Sequence, residues 1–209
     1  MRLQYALDTF NKKDAFAVLS EVHDLIDIVE AGTPFILQYG VQAVKDIKDQ
    51  YPSGLSILAD MKICDGGTFE ADLAYDAGAD ITTVMGFTQL ETIKGVIESA
   101  KSHQKKVLVD MMCVKDLAER SKRFVDLGAD YICVHNATDA LDIENVLHSA
   151  SIIRDAVGSE HLVIAGGVNL ENIDRVVSYL PQIIIVGTCI TKSSDKRKTI
   201  SELKSHFIK

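Results

Sequence analysis

The sequence has no surplus of positive charge. It carries 22 Lys and Arg against 30 Asp and Glu, a formal net charge of −8. Nonspecific nucleic-acid binding needs a basic face, so this balance argues against a nucleic-acid partner. It leaves room for an anionic small substrate, because a local site can be positive on an acidic protein. Lys192, Lys196, Arg197, Lys198, Lys204 and Lys209 read as the basic side of a solvated final helix. No stretch of about 18 or more apolar residues occurs, so no membrane-spanning helix and no membrane partner are expected. The opening run Met1-Arg2-Leu3-Gln4-Tyr5-Ala6-Leu7 is strand-like and lacks the longer apolar segment of a secretory signal. The cytoplasm is the expected location. Cys64, Cys113, Cys133 and Cys189 form no C-x-x-C pair, and all lie beside apolar runs. Buried free thiols in a reducing compartment are expected, not a metal site. No Pro/Gly/Ser-rich linker or low-complexity segment interrupts the 209 residues, so one domain over 1–209 is expected.

What the sequence does have is a repeat. Short apolar runs rich in Val and Ile recur at Leu3 to Leu7, Leu25 to Val29, Leu55 to Ala59, Asp80 to Val84, Val107 to Val109, Tyr131 to Val134, Leu162 to Ala165 and Ile183 to Val186. Each is apolar on both faces, as a parallel strand covered by helices should be. Helical spacing lies between them. Ala15, Val18, Leu19 and Val22 share one face, as do Val114, Leu117, Ala118, Ser121, Phe124 and Val125. Ala77-Gly78-Ala79-Asp80 and Leu127-Gly128-Ala129-Asp130 are matching helix-to-strand joints, 50 positions apart. Thr88-Gln89-Leu90-Glu91 reads as a capping box. Alternating strands and helices predict a parallel α/β sheet with right-handed crossovers, and eight units permit closure into a (β/α)8 TIM barrel. An open doubly wound sheet is the rival, but no G-x-G-x-x-G follows the first strand.

Function in such a barrel sits at the C-terminal strand ends. Here those ends are polar: Asp8 after strand 1, Glu30 after strand 2, Asp60, Lys62 and Asp65 after strand 3, Asp110 after strand 5, and His135 after strand 6. One acid could be a helix cap, but a ring of them on one face predicts a site. Glu30 and Asp60 could hold a hard divalent cation, which would polarise a carbonyl and stabilise an enediolate. Lys62 adds a second positive charge, kept protonated by Asp60 and Asp65. His135 suits proton transfer near neutrality. Gly166-Gly167 and Gly187-Thr188 end strands 7 and 8 with exposed backbone N–H groups, a phosphate-binding pattern in barrels.

Each feature has a simpler reading. Asp8 and Asp139 could cap the helices that follow them. Asp60 and Lys62 could form a structural ion pair, and His135 could be a satisfied core histidine. Gly166-Gly167 could be turn chemistry. The other histidines read as surface residues, and Met111 and Met112 as packing.

The spacing Asp60-x-Lys62-x-x-Asp65 resembles the D-x-K-x-x-D signature of the orotidine-5′-phosphate decarboxylase superfamily. Within it, the chain most resembles the 3-hexulose-6-phosphate synthase family. The matching stretches run from Leu3-Gln4-Tyr5-Ala6-Leu7-Asp8 through Asp27-Ile28-Val29-Glu30-Ala31-Gly32-Thr33-Pro34, Leu58-Ala59-Asp60-Met61-Lys62, Val109-Asp110-Met111 and Asp130-Tyr131-Ile132-Cys133-Val134-His135 to Ile164-Ala165-Gly166-Gly167 and Ile185-Val186-Gly187. The resemblance implies aldol addition of formaldehyde to ribulose 5-phosphate, giving 3-hexulose 6-phosphate, with Mg²⁺ or possible Mn²⁺ as cofactor. It implies Glu30 and Asp60 as metal ligands, Lys62 as enediolate stabiliser and His135 as proton-transfer residue. Asp8, Asp65 and Asp110 would orient substrate and lysine, and Gly166, Gly167, Gly187 and Thr188 would hold phosphate. It also implies a homodimer in which Asp65 reaches the partner's site. The related 3-keto-L-gulonate-6-phosphate decarboxylases are the alternative. Strand 5 ends in Asp110 where they tend to carry Glu, and Gly187-Thr188-Cys189-Ile190-Thr191 lacks their phosphate Arg. Asn136-Ala137-Thr138-Asp139 departs from the synthase pattern, which usually has Thr-Gly there. A noncatalytic sugar-phosphate sensor is a further alternative, although a pure binder needs neither His135 nor Lys62.

Overall fold

Eight short strands close on themselves in sequence order. The computed structural model describes residues 1–9 and 11–207. The strands are β1 (Arg2–Leu7), β2 (Ile28–Ala31), β3 (Ser56–Ile63), β4 (Ile81–Met85), β5 (Lys106–Asp110), β6 (Tyr131–Val134), β7 (Leu162–Ile164) and β8 (Ile183–Val186). All pairings are parallel, and β8 returns to β1 through Arg2↔Ile183 and Tyr5↔Val186. This is the expected (β/α)8 barrel. The helices are α1 (Lys12–Val22), α2 (Thr33–Tyr39), α3 (Gln42–Gln50), α4 (Gly67–Asp76), α5 (Leu90–His103), α6 (Leu117–Leu127), α7 (Ile143–Val157), α8 (Ile173–Val177), α9 (Thr188–Thr191) and α10 (Lys196–Ser205).

Two cores follow from the two faces of each strand. Outward residues such as Tyr5, Val29, Ile57 and Val109 pack under the helices with Leu19, Phe35, Ile93 and Phe124. Inward residues Ile28, Leu58, Ile81, Leu108, Tyr131, Cys133, Val163 and Ile183 fill the barrel as a separate plug. A strand's period of two makes both sets from one continuous apolar run.

Several boundaries differ from the sequence pattern. Between β2 and β3 two helices replace one, because Gly40 takes φ +65 and breaks the run. Leu25 lies before β2, in a turn where its amide donates to the Val22 carbonyl at 2.9 Å. Strand β3 runs on to Ile63, past the last residue of the apolar stretch. The Thr88 capping box does not form. Gln89 is the N-cap of α5 with no side-chain cap bond, and the Thr88 hydroxyl turns to the Gln89 carbonyl at 3.4 Å. Val114 precedes α6 instead of joining its face, and Ala118 is exposed. The matching joints hold: Gly78 and Gly128 take φ +101 and +109. Among the cysteines, all free, only Cys133 is buried; Cys64 and Cys113 are exposed on loops and Cys189 is half-buried. Apolar sequence neighbours do not bury a residue once its strand has ended. Lys209 lies outside the described residues. No helix among the described residues is long and apolar enough to cross a membrane.

Candidate active site

The period that fills the barrel also raises a charged layer above the plug. Asp8 stands two residues after Ala6, Glu30 after Ile28, Asp60 after Leu58, Thr83 after Ile81, Asp110 after Leu108 and His135 after Cys133, so all point inward. They line one cavity of about 1230 Å³ together with Lys62, Gly166, Gly167, Gly187 and Thr188. The sequence-predicted residues therefore converge, with one exception. Asp65 is exposed on the β3–α4 loop, accepts the Gly66 amide at 2.7 Å, and does not line this cavity.

Strand β3 explains how residues two apart come together with one neighbour. Ala59 pairs with Thr82 and Ile63 with Val84, so Asp60, Met61 and Lys62 together span the single residue Thr83. The strand bulges, and Lys62 takes φ +47. Thr83 fixes the bulge. Its hydroxyl accepts the Lys62 amide at 2.8 Å and donates to Asp60 Oδ1 at 2.9 Å. Thr33 donates to Asp60 Oδ2 at 2.7 Å, and the Lys62 ammonium closes onto the same oxygen.

The electrostatics are strongly coupled. Burial alone would raise the Asp60 carboxyl, but Lys62 and the two threonines hold it below its usual range. Burial alone would lower Lys62, but Asp60, Asp110 and Glu30 hold its ammonium above the ordinary value. Glu30 is pushed well above the usual glutamate value by burial, by Asp60 and by Asp8, against the opposing bond from Gln4 Nε2 at 2.6 Å. Asp8 is raised by desolvation and then by Asp60. Across the cavity, Asp110 is buried, accepts the Met112 amide at 2.9 Å and takes His135 Nδ1 at 2.7 Å.

Among the described residues no group of three or more His, Cys, Asp or Glu is gathered tightly enough to hold a metal ion. Glu30 and Asp60 are nevertheless buried and close enough that Asp60 helps raise Glu30, and Gln4 Oε1, on the side chain that bonds Glu30, is buried without a partner. This all-oxygen set fits a hard divalent cation that keeps other ligands from water or substrate.

On the same rim, after β7, Gly166 and Gly167 take φ +97 and +75, conformations that other residues rarely adopt. Asn172 holds that loop by donating to the Gly167 carbonyl at 2.9 Å. The helix-cap alternatives fall away. Asn11 caps α1, so Asp8 does not; Asp142 caps α7, leaving Asp139 at the cavity wall. Sequence reasoning missed Gln4, Thr33, Thr83 and Lys192 as lining residues. Inward parity with Ile81 would have found Thr83. Lys192 precedes α10 and does not belong to the final helix.

Residues 1–203 match the family model described as Orotidine 5′-phosphate decarboxylase / HUMPS family. A 3-hexulose-6-phosphate synthase of Bacillus subtilis (strain 168) is 43% identical over 209 residues, covering 100% of this chain and 99% of the relative. The crystal structure of 3-hexulose-6-phosphate synthase from Salmonella typhimurium is similar at TM-score 0.91 and 37% identity, over 100% of this chain and 99% of that one. That of 3-keto-L-gulonate-6-phosphate decarboxylase from Vibrio cholerae O1 biovar El Tor str. N16961 is similar at TM-score 0.84 and 25% identity, over 99% and 96%. The chain belongs to the orotidine 5′-phosphate decarboxylase / HUMPS family.

Proposed function

We propose that the protein is a lyase that joins formaldehyde to ribulose 5-phosphate, giving 3-hexulose 6-phosphate. The observation that carries this reading is the convergence of two units in one cavity: the Asp60–Lys62 pair beside Glu30, and the Asp110–His135 pair facing them. The whole-length likeness to synthases at 43% and 37% identity supports it, against 25% for the decarboxylase.

Asp110 holds His135 through Nδ1, which leaves Nε2 to exchange a proton. In this reading Nε2 takes a proton from C1 of ribulose 5-phosphate. The electron pair left on C1 delocalises into the C2 carbonyl as an enediolate. Lys62, charged and fixed by Asp60, lies beside the developing oxyanion. C1 then attacks the formaldehyde carbon, and the new alkoxide recovers a proton from His135. Glu30 and Asp60 would hold Mg²⁺ or Mn²⁺, which supplies Lewis-acid polarisation of the substrate oxygens. Asp8 lines the same mouth and would orient the substrate there. Gly166, Gly167, Gly187 and Thr188 would receive the phosphate.

A homodimer fits Asp65. It lies outside its own cavity, close in sequence to Phe69 and Leu73 of α4, which are 69% and 41% exposed. Burial of this face against a second copy would bring Asp65 towards the partner's site. One domain over 1–209 in the cytoplasm completes the reading. The test sets formaldehyde with ribulose 5-phosphate beside 3-keto-L-gulonate 6-phosphate, with and without Mg²⁺. Metal-dependent consumption of formaldehyde is expected. Faster CO₂ release from the gulonate would favour the decarboxylase instead. Unchanged activity in Lys62→Ala would favour a sensor.

A further inference from the structure

The cavity is poor in cations. Among the described residues its acids are Asp8, Glu30, Asp60, Asp110 and Asp139, while its lysines are Lys62 and Lys192 and no arginine lines it. Lys62 is bound to Asp60 and stands among the acids. A phosphate dianion entering this field needs a positive group away from them. Glycine-loop amides offer hydrogen bonds but only partial charge.

Lys192 stands where that group is needed. Its amide donates to the Thr188 carbonyl at 3.0 Å, which places it one turn beyond the Gly187–Thr188 joint, on the glycine side of the mouth. The basic residues that follow are committed elsewhere. Lys196 donates to the Ser193 carbonyl at 3.2 Å, and Arg197 pairs with Asp24 at 2.6 Å. Lys198 faces Glu202 at 3.8 Å, and Lys204 pairs with Asp27 at 3.1 Å. Lys192 has no ion-pair partner among the described residues. The segment behind it is tied down, since the Ser193 and Thr199 hydroxyls bond each other at 2.8 Å. A lysine that faces a ligand cavity with no protein partner, beside neighbours that all have one, is placed for a ligand anion.

We propose that Lys192 is the phosphate-recognising cation of this site, selecting phosphorylated over unphosphorylated sugars. The identity of the sugar rests on the aldol reading above; the role of the lysine does not. Lys is a point charge on a flexible stem, so it can follow a dianion held by the glycine loops.

Inorganic phosphate serves as the probe. Calorimetric titration into the intact wild type, Lys192→Ala and Lys192→Arg is expected to show a Kd about tenfold weaker for the alanine variant, with most of the loss restored by arginine. Added salt should weaken binding to the wild type more steeply than to Lys192→Ala. In turnover, KM for ribulose 5-phosphate should rise by a similar factor while KM for formaldehyde stays level. Equal phosphate affinity in wild type and Lys192→Ala, or no phosphate binding by the wild type, overturns the assignment. Phosphate discrimination without formaldehyde turnover would overturn the aldol reading and leave Lys192 in its role.

Discussion

Replacing Thr83 with Val tests the geometry on which the site depends. The substitution keeps the shape and removes, from a residue that is 3% exposed, one hydroxyl that makes two bonds. Asp60 Oδ1 would lose its threonine donor inside a buried site, at a cost of about 1–3 kcal/mol. The Lys62 amide would lose an acceptor at the one bulged residue held at φ +47. That conformation is itself unfavourable by about 1–2 kcal/mol for an L-residue, and it persists because its surroundings fix it. That strain is already present in the wild type and does not add; the two groups left unsatisfied, at about 1–3 kcal/mol each, sum to about 2–6 kcal/mol, which for a chain of this size lowers Tm by about 4–24 °C. The bulge would also be free to relax, moving Lys62 relative to Asp60. Thermal melts should therefore show the drop, and kcat/KM should fall more than tenfold, by roughly the same few kcal/mol. Thr83→Ser should recover most of both. A Thr83→Val protein as stable and active as the wild type would refute the claim that this hydroxyl sets the β3 bulge.

Other expectations follow from the same rim. Without divalent metal, stability should fall as pH rises from the ordinary glutamate range to the raised value of folded Glu30, because the folded state keeps the proton across that window. Glu30→Gln should flatten this dependence, raise Tm at neutral pH and abolish stabilisation by Mg²⁺; a wild-type Tm that climbs with pH over that window would contradict the sign. A Cβ at Gly32 would sit 2.1 Å from Asp8 Oδ1 and 3.0 Å from the Leu7 carbonyl, so Gly32→Ala should displace Asp8 and lower kcat/KM. In a double-mutant cycle, Asp8→Ala should then add little further loss; full additivity would argue against the clash. Peptide mapping after brief alkylation of the native protein should find Cys64 and Cys113 modified and Cys133 protected, since Cys133 is buried and its thiol is held well above the usual value by that burial and by Asp110.

The barrel was legible because each strand carries its own signal. Runs such as Leu162 to Ala165 are too short for a helix and too apolar for an exposed strand. The site was legible because the inward period continues past the plug, so a charge two residues after Ile28, Leu58 or Leu108 must face the axis. Three features were hidden. The bulge depends on register between β3 and β4, which no local pattern encodes. Asn11, not Asp8, caps α1 because the helix begins only at Lys12, four residues after Asp8. Lys192 looked like one more basic residue of a tail, yet its neighbours have acids or carbonyls across the surface and it does not. That distinction is tertiary.

Strand order also gives the cavity a direction. Asp8, Glu30 and Asp60 come from the ends of three adjacent strands, β1 to β3, and form one acidic sector that would draw a cation. Gly166, Gly167, Gly187 and Lys192 follow β7 and β8 and form the sector that, as proposed, would draw an anion. Because β8 closes beside β1, these opposite sectors share one mouth instead of lying on separate faces. A linear sugar phosphate is itself polarised, with a carbonyl and diol at one end and a dianion at the other. Only one orientation places both ends in favourable fields, and in that orientation C1 lies towards Lys62 and His135. On the proposed aldol reading, phosphate binding here would fix which carbon is deprotonated. An unphosphorylated ketose should lose rate through misorientation even at saturating concentration, so its deficit should persist in kcat and not only in KM.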